Sequence, residues 1–240
     1  MTRRSITHAI LPLILLVLLV LSALVPAQAA MQRHAARPVY VALGASWTAG
    51  DGTDDPATQS YPALLARHLP RGAGFHNLGS DGNTLDAALS VDVSIALAER
   101  PTLVTVWLGE NDLMGGTTPA TYRTNMDHML TSLQRSHAHV FVVNVLDLSR
   151  VPASFFAFYD AVLGGTKTAA AYAPVGRAYN TALAAVAARH GATVLDIYAA
   201  TKSLWGRPEL LYSDGLHLNA QGYSLLAHLF YGVMHAHGAL

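Results

Sequence analysis

The stretch "TLVTVWLGENDL", residues 102–113, runs almost unbroken in apolar residues up to Leu108 and then turns sharply polar at Gly109-Glu110-Asn111-Asp112. A strand with one wet face alternates polar and apolar side chains. A run without alternation is what a strand buried on both faces of a parallel sheet shows. Four other stretches have the same character: "PVYVALG" (38–44), "FHNLG" (75–79), "AHVFVVNVL" (138–146) and "ATVLDI" (192–197). Longer helix-like segments separate them. Tyr122, Met126, Met129, Leu130 and Leu133 share one face of a helix predicted over about 119–136, and Val175, Tyr179, Leu183 and Val186 one over about 174–189. Gly191 is placed to stop the second of these. A last helix follows Asn219, a suitable N-cap. Strands and helices alternating in this way predict an α/β fold with three layers, α/β/α, around one five-stranded parallel sheet. No internal repeat and no second domain is visible.

In such sheets ligands bind beyond the carboxyl ends of the strands, so the chemistry is sought there. The first strand ends in "ALGASWTAGDG" with Ser46 just past it. The glycines around Ser46 match neither G-x-G-x-x-G nor G-x-x-x-x-G-K-[ST], and no lysine is near, which disfavours phosphate binding. The second strand ends in "NLGSDGNTL". Its Gly79 and Gly82 let a backbone N–H approach a ligand without a side chain in the way. The third ends in Gly109-Glu110-Asn111-Asp112, where an asparagine amide can donate to a developing oxyanion. An Asx-turn and helix cap is the plainer use of the same residues. After the fifth strand comes "SDGLHLN" (213–219), with Asp214 three residues before His217. Each feature alone has an ordinary structural explanation. Together they bring a serine, two oxyanion-donor candidates, a histidine and an aspartate to one edge of one sheet.

The blocks "GASWTAG", "NLGSDGNT", "GENDL" and "SDGLHLN" resemble the four signature blocks of the SGNH (GDSL-type) hydrolase family, in the family's order and at family-like separations. That resemblance implies Ser46 as nucleophile, His217 as general base and Asp214 as its orienter. It implies an oxyanion hole from the Ser46 backbone N–H, Gly82 and Asn111. It further implies a flavodoxin-like sheet of strand order 2-1-3-4-5 and no metal or cofactor. The first block departs from the usual G-D-S, because Ala45 stands where the family has an aspartate.

Those residues suit ester hydrolysis in their own right. A serine hydroxyl is a poor nucleophile near neutral pH unless a base is beside it. A histidine supplies that base and then returns the proton to the leaving alcohol. An aspartate holds the imidazole in the useful tautomer. Three rivals stand beside this reading. An α/β-hydrolase also runs Ser, Asp, His in chain order, but its serine sits in G-x-S-x-G, whereas Ser46 lies in G-x-S-x-T and Asp214 and His217 share one short loop. An O-acyltransferase would use the same site with a sugar hydroxyl as acceptor. A non-catalytic extracellular binding domain is permitted by fold alone.

Composition narrows partners and compartment. Basic and acidic residues balance at 15 each, with no Lys/Arg block, so nucleic acid is not an expected partner. No obligatory protein partner is implied either. The chain has no cysteine, hence no disulfide and no thiolate metal site. Two "HAH" triplets, 137–139 and 235–237, lack a surrounding ligand constellation and read as solvated histidines. Arg3 and Arg4, an apolar run from Ala9 to Val25 and the small-residue stretch "AQAA" predict a signal peptide over 1–30, cleaved after Ala29 or Ala30. The alternative is an uncleaved membrane anchor, since the run is barely long enough to span. Residues 31–37 read as a linker and 38–240 as the hydrolase domain. The expected location is secreted or cell-envelope. "SRVPASFFAFYDAVLGGTKTAAAYAP" (149–174) is longer than an ordinary connection. Its Phe155, Phe156, Phe158 and Tyr159 either line an acyl site or cover the sheet edge. Asp196, at the end of the fifth strand, is expected to be a structural hydrogen-bonder.

Overall fold

Five strands form where the apolar runs lie. The computed structural model describes residues 37–154, 156–157, 161 and 169–240. Within it β1 (Val39–Gly44), β2 (Gly74–Gly79), β3 (Leu103–Trp107), β4 (His139–Val143) and β5 (Thr193–Leu195) make one sheet. All pairings are parallel and the order is β2-β1-β3-β4-β5, the expected one. The predicted signal peptide (1–30) and all of the predicted linker except Arg37 lie outside the described residues. Pro38–Leu240 is a single compact unit. Among the described residues no helix is long and apolar enough to cross a membrane.

The apolar runs are buried for the reason their lack of alternation implies. Tyr40 to Leu43 of β1 and every residue of β3 are inaccessible to solvent or nearly so. The edge strand β2 is half-buried along its length, and it carries the polar His76 and Asn77. Between β1 and β2 lie α1 (Ser46–Ala49), α2 (Pro56–Gln59) and α3 (Tyr61–Ala66). Between β2 and β3 lie α4 (Leu85–Ser90) and α5 (Asp92–Ala98). Then come α6 (Glu110–Met114), α7 (Pro119–Leu133), α8 (Ala169–His190), α9 (Ile197–Leu204) and α10 (Ala220–Ala236). Helices α4, α5 and α8 pack around α7, while α3 and α9 pack around α10, giving one helical layer on each face of the sheet.

The predicted apolar face of α7 is buried as a unit. Asn219 caps α10, its Oδ1 accepting from Gly222 N at 3.0 Å. Gly191 ends α8 in the left-handed region at φ +65°, with Ala192 N donating to Ala187 O, as a glycine-terminated helix does. That helix starts earlier than Pro174 suggests, because the alanine-rich run from Ala169 favours helix on its own.

The fourth strand stops at Val143, short of the predicted 146, although Val145, Leu146 and Leu148 are buried. Side chains replace the sheet there. Asn180 of α8 accepts from Val145 N at 2.7 Å and donates to Val145 O at 2.8 Å, and Thr201 Oγ1 accepts from Asp147 N at 2.9 Å. The backbone is thereby satisfied without a neighbouring strand.

Candidate active site

Strand register sets the level of the site. Gly44 of β1 pairs with Gly79 on one side and Trp107 on the other, so three strands end together where the chain crosses to both sides of β1. That is the topological switch point of an open parallel sheet. Ser46, Gly82 and Asn111 all follow within a few residues of it.

Ser46 is the first residue of α1 and half-buried. Four residues do not make a stable helix by themselves. This one is clamped. Gly50 N and Asp51 N donate to Ser46 O at 2.8 and 3.1 Å, Asn77 Nδ2 donates to Thr48 O at 2.7 Å, and Thr48 Oγ1 lies 3.2 Å from Tyr61 OH. Gly79 presses on the same turn: a Cβ there would fall 2.2 Å from Ala49 N. Ala45, at the N-cap, offers no side-chain cap where the family's usual aspartate would sit.

Asp214 and His217 share a tight turn. Gly215 N donates to Tyr212 O at 3.0 Å and Tyr212 N to His217 O at 2.8 Å. Asp214 Oδ1 accepts from Leu216 N at 2.8 Å and His217 N at 3.0 Å, and its Oδ2 lies 2.7 Å from His217 Nδ1. Burial pushes against the charge on Asp214, but the hydrogen bonds from His217 and the two backbone amides outweigh it and hold the carboxyl below its ordinary range. An ionised carboxylate only accepts, so Nδ1 carries the proton and Nε2 is left with its lone pair in the neutral ring. The His217 ring is buried, edge-on to Trp47 at 6.5 Å between centroids. Trp47 follows Ser46 in the chain, and it also packs on Trp107 at 5.1 Å and Trp205 at 5.5 Å. Trp205 Nε1 donates to Leu216 O at 2.8 Å and so holds the histidine turn.

Gly82 sits in an exposed turn at φ +69°, closed by Asn83 N donating to Ser80 O at 3.1 Å. Asn111 Nδ2 donates to Asn83 O at 2.9 Å, which fixes the plane of its amide and the direction of its second N–H. Asn83 in turn donates to Gly44 O and Asp92 Oδ2. Asp112 is buried and receives Leu85 N on both oxygens, at 3.0 and 3.2 Å. Burial, partly offset by that bond, raises its carboxyl. The two neighbours thus tie α6 to consecutive stretches of the loop after Gly82.

Two further acidic groups near the site titrate high. Burial first, then the Asp81 carboxylate beside it, push Asp51 up to about 6, while His217 pulls the other way. Burial pushes Glu110 up to about 7 against hydrogen bonds from Trp107 and nearby backbone N–H groups. Neither stands out in the sequence, where Glu110 is simply part of a polar turn. The tryptophan cluster carries no local signal either. Asp196 has the structural role expected of it, accepting from Ala199 N and Asn144 Nδ2. Of the aromatic residues proposed to line an acyl site, Phe155, Phe158 and Tyr159 lie outside the described residues. Phe156 is buried and stacks on Tyr172 at 5.9 Å. His137 and His139, with His190 and His237, line a cavity at the opposite end of the sheet, yet among the described residues no group of three or more His, Asp or Glu is arranged to hold a metal.

The model of the GDSL-like lipase/acylhydrolase family matches residues 42–225, most of the chain and all four blocks but the first residues of the sheet. The chain belongs to that family. As a GDSL-like hydrolase it is a serine ester hydrolase. AlinE4, an SGNH-hydrolase family esterase, is 25% identical, with 83% of this chain and 96% of that one covered at a TM-score of 0.55. The lipase/acylhydrolase from Enterococcus faecalis is 24% identical over 82% of this chain and 95% of that one, at a TM-score of 0.61. EstA, the psychrotrophic esterase from Pseudoalteromonas sp., which has been seen inhibited by monoethylphosphonate, shares the fold at 17% identity, 82% and 97% coverage and a TM-score of 0.62. No curated protein sequence matches this GDSL-like chain significantly.

Proposed function

We propose that the protein is an exported carboxylic-ester hydrolase that works through an acyl-enzyme on Ser46. The observation that carries this is the Asp214–His217 pair. A 2.7 Å bond to Nδ1 and two backbone bonds to the other carboxylate oxygen leave His217 one tautomer and one orientation. His217 Nε2 takes the Ser46 hydroxyl proton as Oγ attacks the carbonyl carbon. The oxyanion that forms is stabilised by the backbone N–H groups of Ser46 and Gly82 and by the Asn111 amide. On collapse the C–O bond to the alcohol breaks and His217 gives its proton to that oxygen. Water, deprotonated by the same histidine, then attacks the acyl carbon, releasing the acid and restoring Ser46.

A cavity of about 420 Å³ adjoins the histidine turn, lined by Val151, Pro152, Trp205, Leu211 and Tyr212, with Arg150 and Ser154 among its polar groups. Its size and mainly apolar lining suit a compact acyl or alcohol group, lipid or O-acyl carbohydrate in origin. The test is direct. Ser46→Ala is expected to lose about three decades or more of esterase activity with the fold intact, and a serine-directed phosphonate to label the parent at Ser46. Full activity in the variant, or labelling elsewhere, refutes the assignment. A panel of esters varying acyl length and alcohol, run with and without a polyol, separates hydrolysis from acyl transfer. Export rests on the Arg3/Arg4 and "AQAA" flanks, and predicts a mature chain beginning near Ala30 or Met31 by mass spectrometry. An intact N-terminus in the membrane fraction overturns it.

A further inference from the structure

Glu110 is out of place on ordinary grounds. Carboxylates are almost never fully buried unless they are paired, and this one is 5% exposed with no basic partner among the groups that shift it. It begins α6, immediately before Asn111, and shares a small cavity with Ala45, Ser46, Trp47, Trp107 and Asn111. Its Oε1 accepts from the indole Nε1 of Trp107 at 3.2 Å. An indole nitrogen is a donor only, so this bond decides which way the ring faces. The Trp107 ring packs on Trp47, and Trp47 both follows Ser46 and lies edge-on to His217.

We propose that Glu110 is a positioning residue for ester hydrolysis, holding the Trp107 indole so that the Trp107–Trp47 contact seats Ser46 and His217 in working register. The proposal rests on the serine mechanism above. A glutamine at 110 keeps an acceptor for the indole and a leucine does not, so the two substitutions separate anchoring from mere filling of space. The carboxyl also titrates near neutrality, because burial pushes it up to about 7. The groups that face it are the Asp112 carboxyl on its own helix, the Tyr122 hydroxyl from α7, the Trp107 indole at the end of β3 and the Leu146 N–H in the segment after β4. When Glu110 ionises, it sets a negative charge against a site that must stabilise an oxyanion in a poorly screened interior. Activity of the parent then falls relative to a Gln variant as pH rises.

The experiment measures kcat and KM from pH 6 to 8 for the parent, Glu110→Gln, Glu110→Leu, Trp107→Phe and the Leu/Phe double variant, with phosphonate labelling of each. Glu110→Leu is expected to lower kcat by about tenfold or more with KM within about threefold, and Glu110→Gln to stay within about threefold at pH 6. The double variant should be no worse than the poorer single, since both act through one bond. The parent should lose about fivefold against Glu110→Gln between pH 6 and 8. Parental kcat in Glu110→Leu, a loss confined to KM, or fully multiplying effects overturn the proposal. If Glu110→Leu does not fold, Trp107→Phe takes its place: it removes the indole N–H that Glu110 holds, a loss of kcat of about tenfold or more is expected, and parental kcat there overturns the proposal. Quantitative labelling of Ser46 alongside such results sinks this inference alone, whereas no labelling of the parent sinks the serine mechanism beneath it.

Discussion

Asn111 and Asp112 are adjacent, both polar, both at the head of α6, and they are expected to fail in opposite ways when removed. Asp112→Ala strips the acceptor from Leu85 N, a buried donor held at 3.0 and 3.2 Å. An orphaned buried N–H costs about 1 to 3 kcal/mol. Burial already disfavours the ionised carboxylate, since it raises the Asp112 carboxyl, so alanine recovers part of that loss. The net destabilisation is about 1 to 2 kcal/mol, a Tm drop of about 2 to 8 °C for a domain of roughly this size. Because Leu85 N anchors only the loop beyond Gly82, kcat should fall by about tenfold at most. Asn111→Ala loses one half-buried bond to Asn83 O, about 1 kcal/mol of stability. In the proposed mechanism the same change also removes an oxyanion donor, so kcat should fall about 100- to 1000-fold with KM little altered. Steady-state kinetics and calorimetry on both variants decide the matter. Near-parental kcat with early melting in Asn111→Ala means that its amide is a turn device and the oxyanion hole is built from other groups. A hundredfold loss in Asp112→Ala at unchanged Tm would reverse the roles.

Two glycines of the second block should respond differently to alanine. Gly82→Ala meets no atom within 4 Å and bears only the strain of φ +69°, about 1 to 2 kcal/mol, while Gly79→Ala drives a Cβ into the Ala49 backbone and should cost more and displace Ser46; equal Tm and activity for the two would refute this. Glu110 also makes stability depend on pH: the folded state keeps its proton up to about 7 and the unfolded chain loses it near the ordinary glutamate value, so the unfolding free energy should fall by as much as about 3 kcal/mol as pH rises through that window and level off above it. Denaturant titrations at pH 5 and 8 should show a smaller difference in Glu110→Gln than in the parent, and an identical difference would contradict the assignment.

The sheet was legible in the chain because its signal is local. An unbroken apolar run such as Leu103–Leu108 reports burial on both faces wherever it lands, and the alternation of such runs with helical periodicities implies a parallel sheet, whereas the order of its strands was implied only by the family resemblance. The positions of the polar blocks at the strand ends were legible for the same reason, since Ser46, Asn111, Asp214 and His217 each follow a recognisable run or turn within a few residues, but each alone reads as an ordinary turn, and only the four together resembled a family's site. Exchanges between distant segments were not. Nothing near Val145 announces that Asn180 takes the place of a strand beside it, 35 residues on. Trp47, Trp107 and Trp205 look like unrelated core residues until the fold stacks them beside His217. Glu110 carries the same letters as any exposed turn glutamate, and only the fold, which brings Tyr122 and the Leu146 backbone up to it, takes it out of water. Desolvation depends on what surrounds a group in space, and that surrounding comes from parts of the chain whose distance along the sequence holds no trace of it.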